Sequence, residues 1–279
     1  MKFLYNYRYI LSLIAICIIL FGVVKKHTFS ILLGVCFVLW IVVITIRENI
    51  IEKKWESILK PLIDEIPERE ECNLYSDNKM YRLGDMIIHK NERFYKYGGE
   101  EYHLKTFPDS IVSEYMKKTK HQKKYNILAD IVRERSKKTN DLPNDKDLVA
   151  NLRVGDVVEE NSSNVFQILT NYSYKNFKNY TCPIRDIHDK ISKSKENFDK
   201  IIFVAGSHKN ILTPKSCKYI DVIKKYFENE GFKVELRLGK NPDDDFIFMS
   251  NAKYFIPSCS GYYTFLVKNI VKELGGKIL

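Results

Sequence analysis

Beyond Asp147 the sequence alternates short apolar runs with stretches of helical length, and this alternation narrows the choice of fold more than any other feature. Apolar runs at residues 147–154, 200–205, 233–238 and 253–257 have strand length. Helical segments are expected after about Asn164, over 216–230 with Gly231 as the stop, briefly from Asp243, and over 262–274 before Gly275-Gly276. Parallel neighbours in a sheet need a crossover between them, usually a helix. The alternation therefore predicts βαβ units on one parallel sheet, an α/β fold for the C-terminal half.

The N-terminal residues follow a different pattern. Residues 9–24 and 30–46 are uncharged apolar runs separated by Lys25-Lys26-His27-Thr28-Phe29. A bilayer core takes roughly 17–25 helical residues. Two such runs around a tight polar turn predict a transmembrane helical hairpin, with the lipid bilayer as a partner. A cleavable signal is not expected, because no small-x-small site follows the first run. Lys2, Arg8, Arg47, Lys53 and Lys54 flank the outer ends. The positive-inside rule therefore leans towards a cytoplasmic globular part, against Lys25 and Lys26 in the turn. An amphipathic helix over 48–59 should leave the membrane and stop at Pro61. Residues 62–108 read as mixed, with turns at Tyr97-Gly98-Gly99 and Phe107-Pro108. Helices over 109–118 and 123–138 then precede a polar loop at 139–145. The expected organisation is an anchor with its juxtamembrane helix (1–59), a mixed α/β part (60–146) and a ligand-binding part (147–279).

The net charge of +10 is spread over Lys-rich stretches such as 117–124, which suits anionic lipid or an anionic small molecule. No recognition motif accompanies the charge, so nucleic acid is not an expected partner. The six cysteines are scattered without a CxxC pair or a His cluster, which indicates neither a zinc site nor a disulfide framework.

Ligands of an open α/β sheet sit beyond the carboxyl ends of its strands. Two strand ends here carry residues suited to phosphate. The first reads Asn151-Leu152-Arg153-Val154-Gly155-Asp156. A guanidinium keeps its charge and can grip two phosphate oxygens at once, so Arg153 is the leading candidate. Its ordinary alternative is an ion pair with Asp156. The second reads Ser258-Cys259-Ser260-Gly261 before a helix. Hydroxyls and N–H groups at a helix start bind phosphate, and the same Ser residues would serve as plain N-caps. Gly206 and Ser207, followed by His208, end the intervening strand and could line the nucleotide. Asp245 can accept both donors of a guanine edge, N1–H and the 2-amino group. Its neighbours Asp243 and Asp244 suit a helix N-terminus, which disfavours reading Asp-x-Asp as a metal site. Asp156, Glu159 and Glu160 lie just beyond Arg153, where an acceptor hydroxyl needs a base, with Asp156 the candidate; the ordinary alternative for each is a solvated loop acid.

Taken together, these residues resemble the GDP-fucose-dependent fucosyltransferase superfamily of α-1,2, α-1,6 and protein O-fucosyltransferases. The family's His-x-Arg-Arg-x-Asp motif corresponds to 151–156. Its final motif, an Asp, a short helix, a strand and a Ser-rich turn, corresponds to Asp245, Ser250-Asn251-Ala252, Tyr254-Phe255-Ile256 and Ser258-Cys259-Ser260-Gly261. The resemblance covers roughly 145–279. It implies Rossmann-like domains of GT-B type, inversion at the sugar carbon and no metal or other cofactor, with the GDP-sugar as co-substrate. It further implies Arg153 on the β-phosphate, Asp245 on guanine, and Ser258 and Ser260 near the diphosphate. The family His is Asn151 here, the second Arg is Val154, and the last Ser is Gly261.

The expected function is a membrane-anchored, metal-independent inverting glycosyltransferase moving fucose or a related sugar from a GDP-sugar to a glycan or protein hydroxyl. The alternative is a non-catalytic membrane protein that retains a nucleotide- or glycan-binding fold. A nucleotide hydrolase is disfavoured, because the sequence has no Walker loop, metal cluster or nucleophile elbow.

Overall fold

The computed structural model describes residues 28–75, 94–97, 100–103, 125–170, 181–207, 210–258 and 262–279, with isolated helical positions between 16 and 23. Helix α1 (Thr28–Glu65) comes first. Strands β1 (Phe94–Tyr97) and β2 (Glu100–His103) pair antiparallel. The order continues with α2 (Tyr125–Ser136), β3 (Asp147–Arg153), α3 (Asp156–Glu159), α4 (Val165–Thr170), α5 (Ile184–Lys193), β4 (Lys200–Gly206) and α6 (Pro214–Asn229). It ends with β5 (Val234–Leu238), α7 (Pro242–Ser250), β6 (Tyr254–Ile256), α8 (Tyr262–Glu273) and β7 (Lys277–Ile278).

Strands β3 to β7 form one five-stranded sheet in the order β5-β4-β3-β6-β7, and every pair in it is parallel. The α/β expectation for the C-terminal half is met. Alternate residues of each strand feed two cores. Leu148, Ala150, Leu152, Ile201, Phe203 and Ala205 face α1, α4, α5 and α6. Val149, Ile202, Val204 and Phe255 face α2, α7 and α8. Near-continuous burial of β3 and β4 is what a parallel sheet covered on both sides requires.

The N-terminal part departs from expectation. The described residues contain one helix long and apolar enough to cross a membrane. Its apolar half exposes Leu32, Leu33, Leu39, Val43 and Ile46. The first apolar run and the intervening turn lie largely outside the described residues, so a two-pass hairpin is not supported. Pro61 does not stop α1, which continues to Glu65. Proline costs the helix one hydrogen bond. The burial of Leu59 and Leu62 on either side of it, together with Trp55, holds the helix against the main core.

A disulfide joins Cys72 to Cys217 in α6, contrary to the expectation of unpaired cysteines. Partners 145 residues apart leave no spacing signal in a sequence, since connectivity is a tertiary property. Disulfides persist in oxidising compartments and are rare in the cytosol, which runs against the cytoplasmic placement suggested by the flanking basic residues.

Candidate functional site

The chain runs β3 to β4 to β5 in one direction across the sheet, then returns to place β6 on the other side of β3. The strand order therefore reverses between β3 and β6. Such a switch point opens a crevice at the carboxyl ends, where open α/β sheets bind their ligands. Register pairs Val149 with Phe255 and Ala150 with Ile256. Arg153 and Ser258, each just beyond that pairing, therefore flank the same crevice.

Arg153 is the last residue of β3 and lies opposite Gly206. Its Nη2 donates to Asp156 Oδ1 at 3.3 Å, with both side chains partly buried. That is longer than the roughly 2.7–2.9 Å of a tight charge-assisted bond. The turn beyond Arg153 is held closely. Gly155 has φ 75° and ψ −132°, a conformation essentially restricted to glycine. A Cβ there would lie 2.5 Å from Ser207 Oγ. Gly155 N–H donates to Ser216 Oγ at 3.1 Å. Ser207 N–H donates to the Leu74 carbonyl at 2.8 Å, so residues 74 and 75 run along the exit of β4. Gly206 and Ser207 thus sit against the Arg153 turn. Glu159, one of the acids beyond Arg153, accepts from Ser216 N–H at 2.7 Å and so caps α6.

Asn151 and Ser258 meet through a residue the sequence did not single out. Thr264 Oγ1 donates to Asn151 Oδ1 at 2.9 Å. With that proton committed, the 2.7 Å contact between Ser258 and Thr264 has Ser258 as donor. Asn151 Nδ2 in turn donates to the Val204 carbonyl at 3.4 Å. The relay ties the first turn of α8 to β3 and β4. Ser260, Gly261 and His208 lie outside the described residues.

Asp245 sits in the first turn of α7, where Asn241 is the N-cap: its Oδ1 accepts from Asp243 N–H at 2.8 Å. Asp245 Oδ1 accepts from Arg237 Nε at 2.6 Å, and both side chains are buried. Arg237 Nη1 also donates to both oxygens of Asp141, at 2.8 and 2.7 Å. The guanidinium lies over the Phe248 ring at 4.3 Å. Burial pushes the Asp245 carboxyl up to about 6, against the opposing pull of Arg237. Arg237 was hidden in the sequence, because an Arg alternating with Val234, Leu236 and Leu238 reads as the wet face of a strand.

Solved structures similar to this chain include three of POFUT1. POFUT1 in complex with GDP matches at 14% identity and a TM-score of 0.36, over 57% of this chain and 51% of that one. Two structures in complex with GDP-fucose match at 14% and 12% identity, with TM-scores of 0.34 and 0.35. They cover 56% and 63% of this chain and 47% and 52% of their own. The chain thus spans about half the length of the solved structures it matches. A likeness of this size carries no argument about activity. No family model matches the chain, and no curated protein does.

Proposed function

We propose that this chain binds a GDP-sugar at the β3–β6 switch point and transfers the sugar, fucose or a related one, to an acceptor hydroxyl with inversion. In this reading the sheet is the donor half of a GT-B-type arrangement, and the apolar half of α1 is a membrane anchor. The observation that carries the reading is the strand order, which sets Arg153 and the start of α8 on opposite sides of one crevice. The motif resemblance over 145–279 supplies the ligand class.

In mechanism, the acceptor oxygen attacks the anomeric carbon as the bond from that carbon to the β-phosphate oxygen breaks. The departing electron pair stays on GDP, where Arg153 meets the growing charge. The acceptor proton goes to a general base, for which Asp156 is the candidate once it parts from Arg153. Phosphate charge is met by the guanidinium and by backbone N–H groups, so no metal is required. A second reading, a non-catalytic binding protein, is favoured by the Arg153–Asp156 contact and by the Ser258 proton being spent on Thr264.

The test is nucleotide binding by the full-length chain in detergent micelles, since Trp55 and Leu59 of α1 belong to the core. GDP should stabilise the protein more than UDP or ADP. Arg153→Ala should weaken GDP binding by about tenfold or more, the loss of one charge-assisted hydrogen bond or more. Arg153→Lys should rescue only in part, because an ammonium lacks the two-pronged grip. Sugar transfer should fall further than binding. Equal stabilisation by all three nucleotides would sink the reading. Normal GDP affinity in Arg153→Ala would make Arg153 a structural partner of Asp156.

A further inference from the structure

The guanidinium of Arg237 is 7% exposed and held from two sides, yet its hydrogen bonding is incomplete. Nε is committed to Asp245 and Nη1 to Asp141, while Nη2 is buried and has no partner among the described residues. In a planar guanidinium one Nη2–H points parallel to Nε–H. A carboxylate facing that edge ordinarily takes both donors. Asp245 takes only one, through Oδ1, and no described hydrogen bond uses its Oδ2. Arg237 Nη2 and Asp245 Oδ2 thus leave one donor nitrogen and one acceptor oxygen of this cluster, a candidate recognition edge, unused by any described group.

We propose that Arg237 is a second base-reading residue, whose Nη2 donates to O6 of guanine while Asp245 accepts from N1–H and the 2-amino group. The inference rests on the GDP-sugar reading above and extends it to a residue outside the motif resemblance. Guanine presents an acceptor at position 6 beside a donor at position 1. Adenine presents the reverse order, so the same edge that pairs with guanine sets donor against donor with adenine. Position also agrees. Arg237 pairs with Val204 and Val204 with Asn151, on the sheet face covered by α2, α7 and α8. Two strand spacings put Arg237 about 10 Å from β3, the scale separating a base from its diphosphate. Phe248 under the guanidinium and Asp141 beyond it fix the plane of the fork, so the orientation of Nη2 is set before any ligand arrives.

The test compares GDP with 6-thio-GDP, in which a poorer acceptor replaces O6 and the rest of the base is kept. The full chain in micelles should bind GDP more tightly, by roughly fivefold, as one charge-assisted hydrogen bond weakens. In Arg237→Lys the ratio should fall towards one. Its single ammonium is claimed by Asp245 and Asp141 and cannot offer a second, parallel donor. A purely structural Arg237 would lower affinity for both ligands equally and leave the ratio intact, which overturns the inference. Should Arg237→Lys fail to fold, Asp141→Asn carries the test. Asp141 is 59% exposed, and loosening the fork from outside should roughly halve the ratio; an unchanged ratio again overturns it. A wild type that does not prefer GDP to ADP and UDP overturns both this inference and the reading beneath it. A wild type that prefers GDP but shows no change of ratio on substitution overturns this inference alone.

Discussion

Two polar clusters of opposite character lie on the sheet face covered by α2, α7 and α8. At the β3–β6 side, Ser258, Thr264, Asn151 and the Val204 carbonyl form a neutral relay in which each hydroxyl proton is spent. At the β5–α7 side, Arg237 is set between Asp245 and Asp141 with one nitrogen, Nη2, left without a partner among the described residues. A closed neutral relay fixes geometry, here the angle at which α8 enters. A charged cluster with an unspent donor keeps a recognition edge, at the cost of burying charge. Proximity to the crevice does not by itself make a residue a ligand contact, because Ser258, one of the two hydroxyls suited to phosphate, is already engaged.

The sharpest way to break the comparison is to remove one member from each cluster. Arg237→Ala leaves the Asp245 carboxylate buried beside its remaining neighbours, which typically costs about 3–5 kcal/mol. Urea unfolding should show a loss of that size. Thr264→Val keeps the shape and removes the central hydroxyl, leaving Asn151 Oδ1 and the Ser258 proton without their partner, for a smaller loss of about 1–3 kcal/mol. Near-equal losses would mean that the charged cluster is no more costly than the neutral one. Under Thr264→Val the preference for GDP over ADP should stay, whereas under Arg237→Lys it should shrink.

A gentler probe is pH. The Asp245 carboxyl is raised to about 6 in the folded chain by burial. A raised acid contributes stability that is fully present below its unfolded value of about 4 and is lost as pH rises through about 6. Base reading runs the opposite way, because only the ionised carboxylate accepts from both guanine donors. The GDP-over-ADP ratio should therefore fall between about pH 7 and about pH 5, while the neutral relay, having no group that titrates there, is unaffected. A flat ratio across that range would separate Asp245 from base recognition.

Much of the α/β half was legible in the sequence, because strand–helix alternation and Gly stops are local signals. The observed β3, β4, β5 and α8 fall within a residue or two of their expected bounds. Arg153 was legible for the same reason, as a charged residue at a strand end. Besides the Cys72–Cys217 disulfide, three features were not. Arg237 has the alternation of a solvated face, and α7 and the loop carrying Asp141 pack over it there. Thr264 lies inside a helix, where a hydroxyl carries no signal until β3 is beside it. Pro61 reads as a stop, and the core contacts of Leu59 and Leu62 override it.

Helix α1 belongs to two environments without a break between them. Its last turns are core, its first turns expose leucine and valine, and no hinge separates them in 38 residues, a rod of about 57 Å. A flexible stalk would let a catalytic head sweep a wide volume. A mast rooted in the sheet's own packing instead sets the crevice at one height and one heading. With the apolar turns in a bilayer, the acceptors of the proposed transfer would be those displayed at that height, a pool filtered by distance from the lipid before any chemistry discriminates among them.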